Sequence, residues 1–377
     1  MTQKKPERGR NHDTQQTATL KPKSLKEAFA LSLEEVAWQY SQEKQRSVRL
    51  DKLGQLVTPL ISNKLEKRAK SKHFGTRMAL GLVNLVSPLQ KGYWRTYNCS
   101  DILNIEGQKV KTQRFCKARW CPTCSRIQTG IMLNRFMPVF PLYFPNPYLV
   151  TLTARNVRGQ DLKEEVDRYL KTLGNIVRTI KANLKRKGKL EDLKGLRKLE
   201  ITWNSTRNDF HPHFHLVVNS EEIANEFKRL WLRANPTKAK EDAQDIRKAN
   251  EESLKEIFKY LTKLTFKNKT TGKKSIYPPY VLDTIFQALK NRRTFDTYQI
   301  PEINHEVEIP QEEILEDLQP VQEPRSYYYE TAPYWNWYEV YTGQPLVEYK
   351  ELKEVEDIFF QTKYAGFNAS NMRDRGG

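Results

Sequence analysis

Phe210-His211-Pro212-His213-Phe214-His215-Leu216-Val217-Val218 places three of the chain's six histidines within five positions, at the head of an apolar run. The β-branched and aromatic residues around them suit a strand. Alternate strand side chains share a face, so His213 and His215 point one way and Phe214 and Leu216 the other. Two neutral imidazoles on one side of a stiff strand can hold a divalent metal at a fixed spacing. The same pair can equally be strand histidines satisfied by nearby hydrogen bonds. Neither substrate nor nucleophile is written into the stretch, so both must come from elsewhere in the chain.

Outward from this strand the pattern alternates between two periods. Residues 148–154 read as a strand by β-branched alternation, as do residues 199–203, and 204–209 read as the loop before the histidines. Between them Asp161 and Glu164 have capping-box spacing. The helix they open carries an apolar stripe of Val166, Tyr169, Leu170, Leu173, Val177, Ile180 and Leu184. A stripe at that spacing is core. Gly188 and Gly195 bracket a turn, and helices are predicted over 221–234, 252–264 and 280–293. Strand, long helix, strand, strand predicts an α+β fold, an antiparallel sheet with helices packed on it.

All four cysteines, Cys99, Cys116, Cys121 and Cys124, fall in one short segment. Such clustering favours a metal over disulfides in a reducing compartment, and Cys121/Cys124 has knuckle spacing. Together the four can close a tetrahedral structural Zn²⁺ site; reduced cysteines and a redox CxxC are the plainer alternatives. Arg114, Lys117, Arg119 and Arg126 surround them, which suits phosphate contact as well as solvation.

The chain has 377 residues and a formal charge of +19, long enough for two or three domains and suited to a polyanionic partner. Nucleic acid fits better than a membrane surface. The longest uncharged stretch, 136–154, is broken by Pro138, Pro141, Pro145 and Pro147, and residues 1–26 lack the apolar core of a secretory signal. A cytoplasmic protein is expected. Composition and pattern divide the chain into a disordered basic tail at 1–24, a helical basic region at 25–97, a zinc-binding module at 98–145, a domain holding the predicted sheet at 146–298, an acidic linker at 299–326 and an aromatic-rich region of unassigned fold at 327–377.

One of the eighteen tyrosines stands out. In Glu256-Ile257-Phe258-Lys259-Tyr260-Leu261-Thr262-Lys263, helical spacing sets Glu256 and Lys263 on the face of Tyr260. A phenol of ordinary pKa near 10 is a poor nucleophile, so it needs a metal on the target phosphate and a cation beside it. Lys263 is the candidate cation, and Glu256 a candidate base toward a second nucleophile. Amphipathic packing explains the same spacing without chemistry.

The cysteine module, the 149–153 strand, His211-Pro212-His213-Phe214-His215 and Lys259-Tyr260-Leu261-Thr262-Lys263, in that order, resemble the rolling-circle replication initiators of small bacterial plasmids, in the HUH endonuclease superfamily. The resemblance covers residues 99–293 and leaves both ends of the chain outside it. It implies an HUH palm, similar to an RRM-like sheet, and Mg²⁺ or Mn²⁺ on His213 and His215. Glu200 on the adjoining strand is the candidate third ligand, with an exposed strand carboxylate as its plain reading, and His211 takes a supporting place behind the ligands. It further implies attack by Tyr260 at a nick site in plasmid origin DNA, single-stranded or in a hairpin, leaving a 5′-phosphotyrosyl link and a free 3′-hydroxyl. Glu256 matches the glutamate that activates water to end the cycle. A tyrosine after the histidine motif favours an initiator, or a single-tyrosine transposase, over a relaxase, and the cysteine module before the sheet favours the initiator further. A single-tyrosine HUH transposase and a non-enzymatic zinc-dependent DNA-binding protein are the alternatives. No glycine-rich nucleotide loop is visible, so a host helicase is expected as partner.

Overall fold

The computed structural model describes residues 60–347, apart from 61, 139, 191–192, 251–252, 254–256, 258–263, 268–273, 301–308 and 332–334. The expected tail at 1–24, and the expected helical region before residue 60, lie outside the described residues.

Two helices lead, α1 (Asn63–Val83) and α2 (Gln90–Tyr97), followed by the hairpin β1 (Ile102–Gly107) and β2 (Lys109–Gln113). Helices α3 (Pro122–Phe136) and α4 (Phe140–Tyr143) precede β3 (Tyr148–Thr153), the long α5 (Leu162–Arg186), β4 (Gly195–Asn204) and β5 (Asp209–Val218). Then come α6 (Glu221–Ala234), β6 (Asp245–Lys248), the short pair β7 (Thr265–Lys267) and β8 (Lys274–Ile276), α7 (Pro279–Leu289) and β9 (Phe295–Tyr298). Three strands finish the order: β10 (Glu312–Ile314), β11 (Val321–Glu330) and β12 (Asn336–Glu339).

These strands build two five-stranded antiparallel sheets, ordered β6-β3-β5-β4-β9 and β10-β2-β1-β11-β12. The α+β class expected from the sequence is therefore the class observed. On one face of the first sheet Val150, Leu152, Leu199, Ile201, Phe214 and Leu216 pack under the stripes of α5 and α6. Each such side chain, fully buried, contributes about 1.5–3 kcal/mol. The indole of Trp231 donates to the Thr153 carbonyl at 2.8 Å and pins α6 to the sheet.

Several local expectations give way to packing. The helix of residues 162–186 begins where expected, but Asp161 sits in a 3-10 turn and its side chain caps no backbone N–H. Gly195, read as turn punctuation, starts β4: a Cβ there would lie 2.8 Å from Tyr298 Cδ2, so the crossing ring of β9 demands glycine. Helix α7 ends at Leu289 rather than 293, and the chain turns back as β9.

The largest correction concerns the acidic linker at 299–326. Its residues supply β10 and most of β11, and β11 lies between β1 and β12 in the second sheet. Two of the acids have distant cationic partners: Glu312 pairs with Lys109 of β2 at 2.6 Å, and Glu313 with the buried Arg68 of α1 at 2.5 Å. The aromatics that follow are core, since Tyr327, Tyr329 and Trp337 are buried with Leu103, Ile105 and Val110. A run of like charge reads as solvated linker until its cationic partners are placed opposite it, here from more than two hundred positions upstream.

Candidate functional site

β5 lies between β3 and β4, with Glu200 opposite His213, Lys198 opposite His215 and Thr151 opposite His215 on the other side. Period-two alternation puts all of these on the face away from α5 and α6. His213 is buried, and Glu200 and His215 are half-buried. Their donor atoms all lie within 4.8 Å of one another.

The hydrogen bonds around the imidazoles orient them. His213 Nδ1 faces the His211 carbonyl at 3.0 Å. A carbonyl only accepts, so Nδ1 carries the proton and Nε2 presents its lone pair. His215 Nδ1 lies 3.2 Å from Thr151 Oγ1, a hydroxyl able to donate or accept. The two Nε2 atoms face each other at 3.1 Å. Adjacent ligands of an octahedral ion, with bonds of about 2.1 Å, are about 3.0 Å apart. The histidine pair fits such an ion. Glu200 Oε1 stands 4.0 Å from His213 Nε2. Its other oxygen meets the buried Lys198 Nζ at 3.3 Å. Carboxylate plus two imidazoles is a donor set suited to a hard or borderline divalent cation.

His211 stacks on His213, ring centroids 4.9 Å apart, and its carbonyl rather than its ring holds the neighbour. Burial, and then the adjacent His213, lower its pKa to about 4, so it is neutral at physiological pH.

The nucleophile candidates fall differently. Tyr260, Glu256 and Lys263 lie outside the described residues. Their neighbour Ile257 is buried with Leu149, Leu196 and Val217. Those three stand two residues along their strands from Thr151, Lys198 and His215, so they occupy the same face. The chain three residues before Tyr260 is thus anchored on the histidine face.

The second cluster is made by the β1–β2 hairpin. Ser100 N donates to the Arg114 carbonyl at 3.1 Å, which brings Cys99 beside Cys116, while Cys121 and Cys124 sit at the start of α3. All four sulfurs lie within 4.8 Å of one another, with Cys99–Cys124 at 3.4 Å and Cys116–Cys124 at 3.7 Å. A Zn–S tetrahedron with bonds of about 2.3 Å has edges of about 3.8 Å, and the four sulfurs fit it. Cys116 is held far below the usual thiol range by hydrogen bonds from Cys121, Cys124 and Cys99. Arg119, expected near phosphate, is instead turned inward, donating to the Leu289 and Arg292 carbonyls beyond α7.

Thr151 and Lys198 were not singled out from sequence. For Lys198 the usable signal was parity, two residues from Glu200 along the same strand; for Thr151 the sequence offered none.

Residues 107–340 match a family described as replication protein. A "Protein rep" of Staphylococcus aureus is 29% identical over 132 residues, 34% of this chain and 55% of that protein. One from a Bacillus species is 31% identical over 114 residues, 29% of this chain and 35% of the relative. One from Streptococcus pneumoniae is 25% identical over 171 residues, 40% and 50% respectively. The matches span between about a third and just over half of these relatives' length. No solved structure matches the chain.

Proposed function

The chain belongs to the replication-protein family matched by its residues 107–340, and from that membership we propose that it starts rolling-circle replication of a plasmid by nicking and rejoining origin DNA. The observation that supports the chemistry is the Glu200–His213–His215 group on the sheet face where Ile257 anchors the approach to Tyr260. In this reading the β6-β3-β5-β4-β9 sheet is the HUH palm. Glu200, His213 and His215 would hold Mg²⁺ or Mn²⁺, which when bound draws charge from the scissile phosphate.

The remaining work falls to the chain's own groups. The Tyr260 oxygen attacks phosphorus and the bond to the 3′ oxygen breaks. The 5′-phosphate is then esterified to the tyrosine, and the released 3′ oxygen takes up a proton as a priming hydroxyl. Lys263 favours the phenolate, which has lost its proton before attack. Glu256 takes a proton from the water that later frees the strand. Cys99, Cys116, Cys121 and Cys124 would hold structural Zn²⁺, a closed site with no position open for chemistry. Unwinding is left to a host helicase. Among the described residues no helix is long and apolar enough to cross a membrane.

The test is nicking of supercoiled plasmid bearing the cognate origin, with and without Mn²⁺. Wild type should convert it to open circles only with the metal, and Tyr260→Phe should reduce conversion by at least roughly a hundredfold. Equal nicking by Tyr260→Phe would refute the assignment.

A further inference from the structure

The basic charge is unevenly spread. Between Lys67 and Gln160 the chain has sixteen Lys and Arg residues and two acidic ones, Asp101 and Glu106. Four of these cations, Lys91, Arg95, Arg114 and Lys117, stand on α2 or on the turn that carries Cys116.

On α2 the positions of Lys91, Trp94 and Arg95 share one helical face, opposite the buried Tyr93 and Thr96. All three are exposed, and Trp94 retains 48% of its surface. A large indole left open on a helix is unusual, since burying it would be strongly favourable. Its ring neighbour is Tyr97, in a T-shaped pair with ring centroids 5.6 Å apart.

Two contacts bring further cations to this face. Arg95 Nη2 donates to the Cys116 carbonyl at 3.4 Å, so the exposed Lys117 follows directly from that contact. The Ser100–Arg114 backbone bond sets the exposed Arg114 at the base of the same turn. Arg114 and Lys117 have φ of 58° and 56°, the left-handed region in which a bulky side chain is uncommon. Glycine would hold that turn at less cost, so the cations stand where the backbone does not favour them.

We propose that this face, Trp94 among Lys91, Arg95, Arg114 and Lys117, seats an unpaired stretch of the DNA on which the chain acts. An exposed indole stacks on an unpaired base, and the four cations match a phosphate chain; Asp101, the carboxylate that interacts with Arg114, is buried and paired with Lys72. A duplex keeps its bases stacked inside and offers the indole nothing comparable. This inference rests on reading the chain as a DNA-nicking initiator and adds where the unpaired strand lies.

The test measures binding of a labelled oligonucleotide that extends well beyond the nick site, by fluorescence anisotropy on the full chain. Trp94→Ala should weaken binding of the single strand roughly tenfold or more, and Trp94→Phe much less. Arg114→Gly and Lys117→Gly suit their backbone positions, so they should fold at least as well as wild type. Each should flatten the salt dependence by about 0.7 in the logarithmic slope. Unchanged affinity in Trp94→Ala, or an equal loss for a duplex of the same length, would overturn the proposal. Cleavage of a short nick-site oligonucleotide by the wild-type chain reports the chemistry separately. Binding that depends on Trp94, with no cleavage, would sink the nicking reading and leave this seat standing.

Discussion

Thr151 makes one contact that decides how His215 can behave, because a hydroxyl can give or take the proton at Nδ1. When Nδ1 carries the proton, Nε2 is free to bind a cation. Thr151→Val keeps the β-branched shape and removes that partner, so Mn²⁺ affinity, followed by calorimetry, should fall roughly tenfold with the fold intact. Affinity equal to wild type would show that the hydroxyl does not orient the ligand. A second residue sets an acid response away from the site. His73 is buried, its pKa lowered to about 4 first by burial and then by Arg77, and neither ring nitrogen has a hydrogen-bond partner among the described residues. The unfolded chain takes up that proton below about pH 6.5 while the folded chain refuses it until about pH 4. Stability should therefore be complete at neutral pH and fall across this window, by up to about 3 kcal/mol at about 1.4 kcal/mol per pKa unit. His211, also held near 4, acts in the same direction. His73→Phe should lessen the drop in melting temperature between about pH 7 and pH 5. An undiminished drop would place the acid sensitivity elsewhere.

Elements were legible where their period was strong and illegible where partners were remote. β5 could be read from Phe214, Leu216, Val217 and Val218, and the stripe of α5 from Val166 to Leu184, because each repeats its own period. Glu200 could be placed beside the histidines once 199–203 was read as a strand pairing with β5. β1 and β2 were missed because they are only six and five residues long, and β1 sets Ile102 and Leu103 side by side, which breaks the alternation a strand would show. The Cys116 turn depends on them, since the hairpin carries Cys99 and Cys116 together. Cys99 lies outside the matched residues 107–340, yet its sulfur is 3.4 Å from Cys124. Cys99→Ser should release about one equivalent of zinc and loosen the β1–β2 sheet while leaving β3–β5 folded. Hydrogen exchange would show this as lost protection in Leu103 and Val110 but not in Leu152 or Leu216. Retained zinc would mean three sulfurs suffice.

At the scale of the molecule, the chain pairs a metal-suited sheet face with a cysteine-stapled second sheet closed by strands from its far end. That closure is why composition misled at 299–326: Glu312 and Glu313 look like linker until Lys109 and Arg68 stand across from them. The order of motifs carried the family, and the described fold brings Glu200, His213 and His215 together. The central claim is that Tyr260 becomes covalently bound to DNA. Its direct test is peptide mass spectrometry of protein incubated with an origin oligonucleotide and Mn²⁺, then digested by protease and nuclease. The account predicts a nucleotide joined through its 5′-phosphate to the peptide containing Tyr260, absent when the metal is chelated. The same adduct on any other tyrosine, or none with a substrate that is demonstrably nicked, would contradict it.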